Sequence, residues 1–143
     1  MNLSTKIFTR ANAFLFRLTR GHWGSQLGRQ SVLLLHTVGR KSGKPYVTPL
    51  SYYRDGENYL VVASNWGKEG QPDWFRNLRQ QPQLTIQVKD VSLQVEARTA
   101  AEGDEYTRLW KAVTSQNPQY VAYQKAVTRQ IPIVILSPVA RAR

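Results

Sequence analysis

Between residues 36 and 50 the chain reads HTVGRKSGKPYVTPL, which sets Arg40, Lys41, Ser42 and Lys44 between two apolar runs. Arg offers a planar fork of donors, Lys a compact charge and Ser a hydroxyl, so on one hairpin connection their donors can converge on a single anion. The stretch is not a nucleotide-triphosphate loop. That motif needs four residues between its glycines and then Lys followed by Ser or Thr. Here three residues separate Gly39 from Gly43, and Lys44 precedes Pro45, which has no N–H to give a phosphate. A solvated turn would use the same residue types, so the loop alone leaves both readings open.

Two further stretches add weight. In VVASNWGKEGQPDWFRNL a strand ends in Val62, Ala63, Ser64 and Asn65 and runs into glycines, where a backbone can approach a flat ligand closely. Trp74, Asn77 and Leu78 follow at i, i+3 and i+4, on one side of a short helix; core packing is the alternative for Trp74. Tyr120 and Tyr123 lie three residues apart, on one helical face, where two phenols can stack on a ring and donate protons or else cover a core. The chain has no cysteine, and its two histidines are His22 and His36. No Ser-His-Asp order, carboxylate pair or metal-ligand spacing appears, so no metal site is expected. An enzyme built this way must leave the chemistry to a cofactor.

The elements that would position these groups are mostly strands. SVLLLHT, PYVTPLSYYR, YLVVAS and IPIVIL are apolar, aromatic or β-branched runs, with Pro49 implying an edge or a bulge and DGEN a turn. Leu84 to Val88 and Val91 to Ala97 alternate, and predict a hairpin turning at Lys89-Asp90. Helices are predicted in DWFRNLRQQ, in GDEYTRLWKAVT with a capping box from Thr99 and Glu102, and in PQYVAYQKAV behind Pro118. Strands in meander order with helices inserted late suggest an antiparallel sheet curled into a small barrel. Residues 1–24 read as an amphipathic basic helix and its connection, with Ile7, Ala11, Phe14, Leu15 and Leu18 at helical spacing. Residues 25–143 read as the barrel domain.

The 143 residues carry 20 basic and 9 acidic side chains, a net charge of +11. The first acidic residue is Asp55, and nine cations precede it: Lys6, Arg10, Arg17, Arg20, Arg29, Arg40, Lys41, Lys44 and Arg54. A field of one sign draws anionic partners, whether nucleic acid, a lipid surface or a small polyanion. No apolar run reaches the 18 or so residues of a membrane span.

The segment from Leu33 to Leu84, with TVGRKSG, a Thr-Pro pair, VVAS and W-x-x-NL followed by Pro, resembles the deazaflavin-dependent nitroreductase family, the branch of split β-barrel reductases that uses coenzyme F420. NPQYVAYQ and IPIVILSP extend the likeness, to cover about residues 30 to 138. The resemblance implies a split β-barrel, antiparallel and like those that bind flavin mononucleotide (FMN), with flanking helices. It implies a cytoplasmic oxidoreductase that passes a hydride from reduced F420 to a quinone, a nitro compound or an enone.

F420 is a flat deazaflavin ring with a phosphodiester and a glutamate tail, which suits the cationic loop. By the family pattern Arg40, Lys41 and Ser42 take the anionic tail, and Lys44 adds to the cationic cluster that matches a polyanion. Tyr46, Val47, Thr48, Pro49, Leu50 and Ser51 line the ring and its chain with Val62, Ala63, Ser64 and Asn65. Trp74 and Asn77 stand beside the cofactor, Tyr120 at the cofactor and substrate pocket with Tyr123 placed similarly, and the two tyrosines are the candidate proton donors. Tyr46 replaces an Arg common in relatives, and Ser51 and Asn117 replace aromatics of nitroimidazole-reducing members. An FMN enzyme or carrier on the same barrel is the alternative. A nucleic-acid module rests on charge alone, and no nucleic-acid partner is expected. A homodimer and a peripheral contact with the inner face of the membrane, through the basic helix, complete the expectations.

Overall fold

The computed structural model describes residues 31–139. The basic helix expected over residues 1–24 lies outside the described residues. Six strands follow in the order β1 (Ser31–Val38), β2 (Pro45–Asp55), β3 (Asn58–Val62), β4 (Gln83–Val88), β5 (Val91–Thr99) and β6 (Ile133–Pro138). They close into an antiparallel barrel in the order β1-β2-β3-β6-β5-β4. The helices are α1 (Asp73–Gln80), α2 (Asp104–Gln116) and α3 (Gln119–Lys125), with a 3₁₀ turn at Asn65–Gly67. This is the split-barrel architecture that the sequence resemblance implied.

Strand alternation sorts the side chains into two packed layers. Leu33, Leu35, Val61, Ile86, Val95, Val134 and Leu136 fill the barrel with Trp74, Phe75 and Leu78 of α1. Leu60, Val62, Ile133 and Ile135 face outward and are covered by Tyr106, Leu109 and Val113 of α2 and Tyr120 of α3. β6 is therefore buried on both faces, which is why IPIVIL shows no polar alternation. Burying each large apolar side chain contributes about 1.5–3 kcal/mol.

β2 pairs with β1 along Pro45–Tyr52 but with β3 only at Tyr53–Asp55. Its first eight residues thus have one open edge among the described residues, and Pro49, which has no N–H to add to a ladder, sits on that stretch. The β4–β5 hairpin turns at Lys89, whose φ is 56°, with Val88 opposite Val91.

The capping box does not form. Thr99 ends β5, and α2 begins at Asp104 without a side-chain cap bond. Glu105 satisfies the turn instead, accepting from the Ala101 N–H at 2.8 Å and from both terminal nitrogens of Arg98 at 2.8 and 2.9 Å. Those bonds, Arg98 first, hold its carboxyl down to about 2.

Candidate functional site

The β1–β2 connection folds back on itself through hydrogen bonds from Gly39 N to Lys44 O (2.8 Å) and from Gly43 N to Gly39 O (2.9 Å). A Cβ on Gly39 would lie 2.6 Å from Ser42 Oγ and 2.8 Å from the Tyr46 ring, so any other residue there would have to displace both side chains. Beside it opens a cavity of about 310 Å³, lined by Arg40, Lys41 and Ser42 of the turn, Thr37, Tyr46 and Thr48 of the strands, and Asp73, Trp74 and Asn77 of α1.

Register explains that lining. Thr37 pairs with Tyr46 and Leu35 with Thr48, so these side chains share the inner face that runs down into the core. Thr37 closes the apolar row Leu33, Leu35; its Oγ1 is buried and has no hydrogen-bond partner within the described residues. A cationic turn, a serine hydroxyl and an orphaned threonine hydroxyl form a donor set that fits an anion.

Arg40 is fixed from below. Its backbone N–H (3.2 Å) and Nη1 (2.8 Å) both donate to Oδ1 of Asn77, which is 4% exposed, and its Nη2 meets Asp73 Oδ1 at 3.3 Å. Asn77 therefore both lines the cavity and positions Arg40 in it. Lys44 is exposed and does not line the cavity; its N–H donates to Ser42 Oγ at 3.2 Å.

The run Tyr46 to Ser51 is divided by the strand. Tyr46, Thr48 and Leu50 lie on the inner face, while Val47, Pro49 and Ser51 lie on the outer face with Tyr53. All of Val47 to Ser51 are partly exposed. Val62 and Ala63 are 7% and 0% exposed and belong to the packed layers. Ser64 and Asn65 are partly exposed on the loop beyond.

At the other end of β2 the phenols gather. Tyr53 donates to Tyr120 Oη at 3.0 Å, and Asn117 Nδ2 donates to Tyr53 Oη at 3.4 Å. The Tyr120 and Tyr123 rings meet edge to face, 6.3 Å apart. Burial and the Tyr53 hydroxyl push the Tyr120 phenol well above its ordinary value, so it stays protonated. Gly67 abuts Tyr123: a Cβ there would come 3.0 Å from its ring. The VVAS loop and the tyrosine helix therefore meet, whereas neither Tyr120 nor Tyr123 lines the cationic cavity. The two regions are the ends of β2; Val47 and Tyr53 are separated by about 20 Å of strand at about 3.3 Å per residue.

Thr37, Tyr53, Asp73 and Arg129 were not among the residues picked out from the sequence. Arg129 donates to the carbonyls of Ala63 (3.1 Å), Ser64 (3.1 Å), Lys68 (3.0 Å) and Glu69 (2.7 Å) and to Gln71 Oε1 (3.0 Å), which fixes the loop after β3. Its sequence neighbourhood, TRQIP, carries no signal of this; a contact spanning some 60 residues is visible only once the chain is folded. Among the described residues no group of three or more His, Asp or Glu could hold a metal ion. No helix among them is long and apolar enough to cross a membrane.

Comparison with known proteins identifies the family and the fold. The family described as F420H(2)-dependent quinone reductase matches residues 8–138. An F420H(2)-dependent quinone reductase of Mycobacterium tuberculosis strain H37Rv is 38% identical over 131 residues, spanning 90% of this chain and 88% of the relative. The solved structure of an F420-H2 dependent reductase, FDR-A, superimposes with a TM-score of 0.68 at 33% identity, covering 75% of this chain and 94% of that one. A heme storage protein from Vibrio cholerae, HutZ, shares the fold alone, with a TM-score of 0.61 at 16% identity over 84% of this chain and 91% of its own. On the family match and the M. tuberculosis relative together, the chain belongs to the F420H(2)-dependent quinone reductase family.

Proposed function

We propose that F420 is held along β2, with Arg40, Lys41 and Ser42 holding its anionic tail and the ring toward Ser64, Tyr120 and Tyr123. Family membership makes the chain an oxidoreductase that uses reduced F420 and delivers hydride to a quinone. The observation that carries the placement is β2 itself: one strand joins a cationic cavity at one end to a cluster of phenols at the other.

When bound, reduced F420 supplies the hydride. The chain's own residues bind, orient and protect. Arg40 is pre-positioned by Asn77, so little side-chain freedom remains to be lost when an anion arrives. Thr37 and Ser42 add hydroxyl donors at the same end. Tyr53 donates to Tyr120, which leaves the Tyr120 proton available to an oxygen that gains charge at the acceptor. With its phenol raised by burial, Tyr120 suits hydrogen-bond or proton donation and not abstraction.

The acceptor falls within the quinone class, with nitro compounds as further candidates. A membrane-peripheral location rests on Lys6, Arg10, Arg17 and Arg20 and would bring the pocket to lipid-soluble quinones. A homodimer is the proposed assembly; one solved relative at 33% identity is described as a domain-swapped dimer.

Titration of the protein with F420 and with FMN, read by ring fluorescence, tests the placement. F420 should bind more tightly, and Arg40→Ala and Lys41→Ala should each weaken it about ten- to hundredfold, as expected for a lost charge-assisted contact. The saturated rate of hydride transfer should hold. Normal affinity with a collapsed saturated rate would assign the loop to chemistry instead.

A further inference from the structure

Trp66 is 80% exposed, more than any other large apolar side chain among the described residues. It sits on unusual backbone: Asn65, Trp66 and Gly67 have φ of 50°, 58° and 79°, three left-handed residues in a row, two of which carry side chains. Such a conformation is disfavoured for non-glycine residues and persists only where the surroundings impose it.

Here they impose it heavily. Asn65 Nδ2 donates to Gly70 O at 2.7 Å, Gly67 N to Ser64 O and Lys68 N to Asn65 O at 3.0 Å each. Arg129 holds the carbonyls of Ala63 and Ser64 on one side of Trp66 and those of Lys68 and Glu69 on the other. Glu69 in turn accepts from the Thr128 N–H and hydroxyl, both at 2.8 Å. Gly67, directly after the tryptophan, is pressed against the Tyr123 ring. A rigid loop thus presents an indole to solvent one residue from the tyrosine pair, and it contributes nothing to either packed layer.

We propose that Trp66 is a contact residue for the acceptor: its indole is the face on which a planar quinone stacks at the entrance beside Tyr123. An electron-poor ring and an electron-rich indole are suited to offset stacking. The loop's rigidity means that the surface is formed before the acceptor arrives. The inference rests on the reading of this end of β2 as the acceptor side.

The test uses the full chain, Trp66→Ala and Trp66→Phe, with 2-methyl-1,4-naphthoquinone as the probe. At saturating reduced F420, Trp66→Ala should raise the quinone KM about three- to tenfold, the range of one aromatic stacking contact. Its kcat and F420 affinity should stay near wild type, and Trp66→Phe should recover most of the KM. Without cofactor, the quinone should quench tryptophan emission saturably in the wild type, and that saturable component should vanish in Trp66→Phe. An unchanged KM, or saturable quenching that survives in Trp66→Phe, overturns the proposal. So does an unchanged KM with altered sedimentation or anionic-vesicle binding, which would assign the indole to self-assembly or a lipid surface. Failure of F420 to bind the wild type appears in a separate titration and counts against the cofactor placement, while the quenching result still reads Trp66.

Discussion

Asn77 Oδ1 accepts two hydrogen bonds from Arg40, a residue 37 positions earlier: one from its backbone N–H and one from Nη1. One buried amide oxygen thereby fixes both the turn and its guanidinium. This gives the asparagine of the W-x-x-NL pattern a structural task, on the face of α1 that also buries Trp74 and Leu78.

Asn77→Ala should therefore behave as a binding variant. Removing the oxygen leaves the Arg40 N–H without its acceptor and frees the guanidinium to sample other rotamers. A hydrogen bond to a charged group contributes about 1.5–3 kcal/mol, so F420 affinity should fall roughly tenfold or more while the saturated rate changes little. Fluorescence titration with single-turnover kinetics separates the two. A normal affinity would show that Arg40 does not depend on this support.

Asp73→Asn should act in the opposite direction. The Asp73 carboxylate is 82% exposed, lines the cationic cavity and occupies Nη2 of Arg40 at 3.3 Å. It competes with an incoming anion and repels a polyglutamate tail. Exposed ion pairs stabilise proteins by about 1 kcal/mol or less, so unfolding should scarcely change. F420 affinity should rise several-fold at low salt, with the gain shrinking above about 0.5 M salt as screening takes over. Weaker binding in the variant would make Asp73 a support for Arg40 and not a competitor.

The strands and α1 were legible because their apolar periods are strong and their ends are marked by Gly, Pro and Asp-Gly signals. Pro49, read as marking an edge or a bulge, lies where β2 pairs with β1 alone among the described residues. The capping box failed because Thr99 is drawn into the β5 ladder opposite Val134, leaving Glu105 to cap from one turn later. Within the site, the motif-bearing turn was legible, but the strand's two faces were not separated. Tyr46 and Thr48 go to the cavity while Val47 and Pro49 go to the other side. Arg129, Tyr53 and Thr37 were invisible for one reason: each acts through contacts set by tertiary register, and none stands at a spacing that periodicity can read.

His36 gives the fold an acid sensitivity. It is 6% exposed, on the outer face of β1, and burial pushes its imidazole from 6.5 down to about 4. Because the folded value is lower, the unfolded chain binds the extra proton between those values, and stability falls as pH drops from about 6.5 to 4 and then levels. The shift corresponds to a loss of about 3 kcal/mol. Urea midpoints measured from pH 7.5 to 4 should show this slope, and His36→Leu should flatten it. Glu105, held at about 2, adds a separate loss only as pH falls below about 4.5. An identical slope in the variant would assign the acid sensitivity to carboxylates.

The phenols supply the last test. Tyr53 donates to Tyr120 at 3.0 Å and itself accepts from Asn117, so the three form a directed chain that ends with the Tyr120 proton unassigned. If that proton serves the acceptor, Tyr120→Phe should lower the rate at saturating cofactor and quinone by about 10²- to 10⁴-fold, the usual range for a positioned acid. Tyr53→Phe keeps the Tyr120 hydroxyl but removes the donor that orients it, and should cost less, about tenfold. Tyr123→Phe keeps the ring that packs on Gly67 and should leave the rate within a few-fold. A solvent deuterium isotope effect should persist or grow in Tyr120→Phe, because water then delivers the proton in a slower step. Equal rates in wild type and Tyr120→Phe would make the phenol a packing residue of the outer layer, with protonation left to solvent.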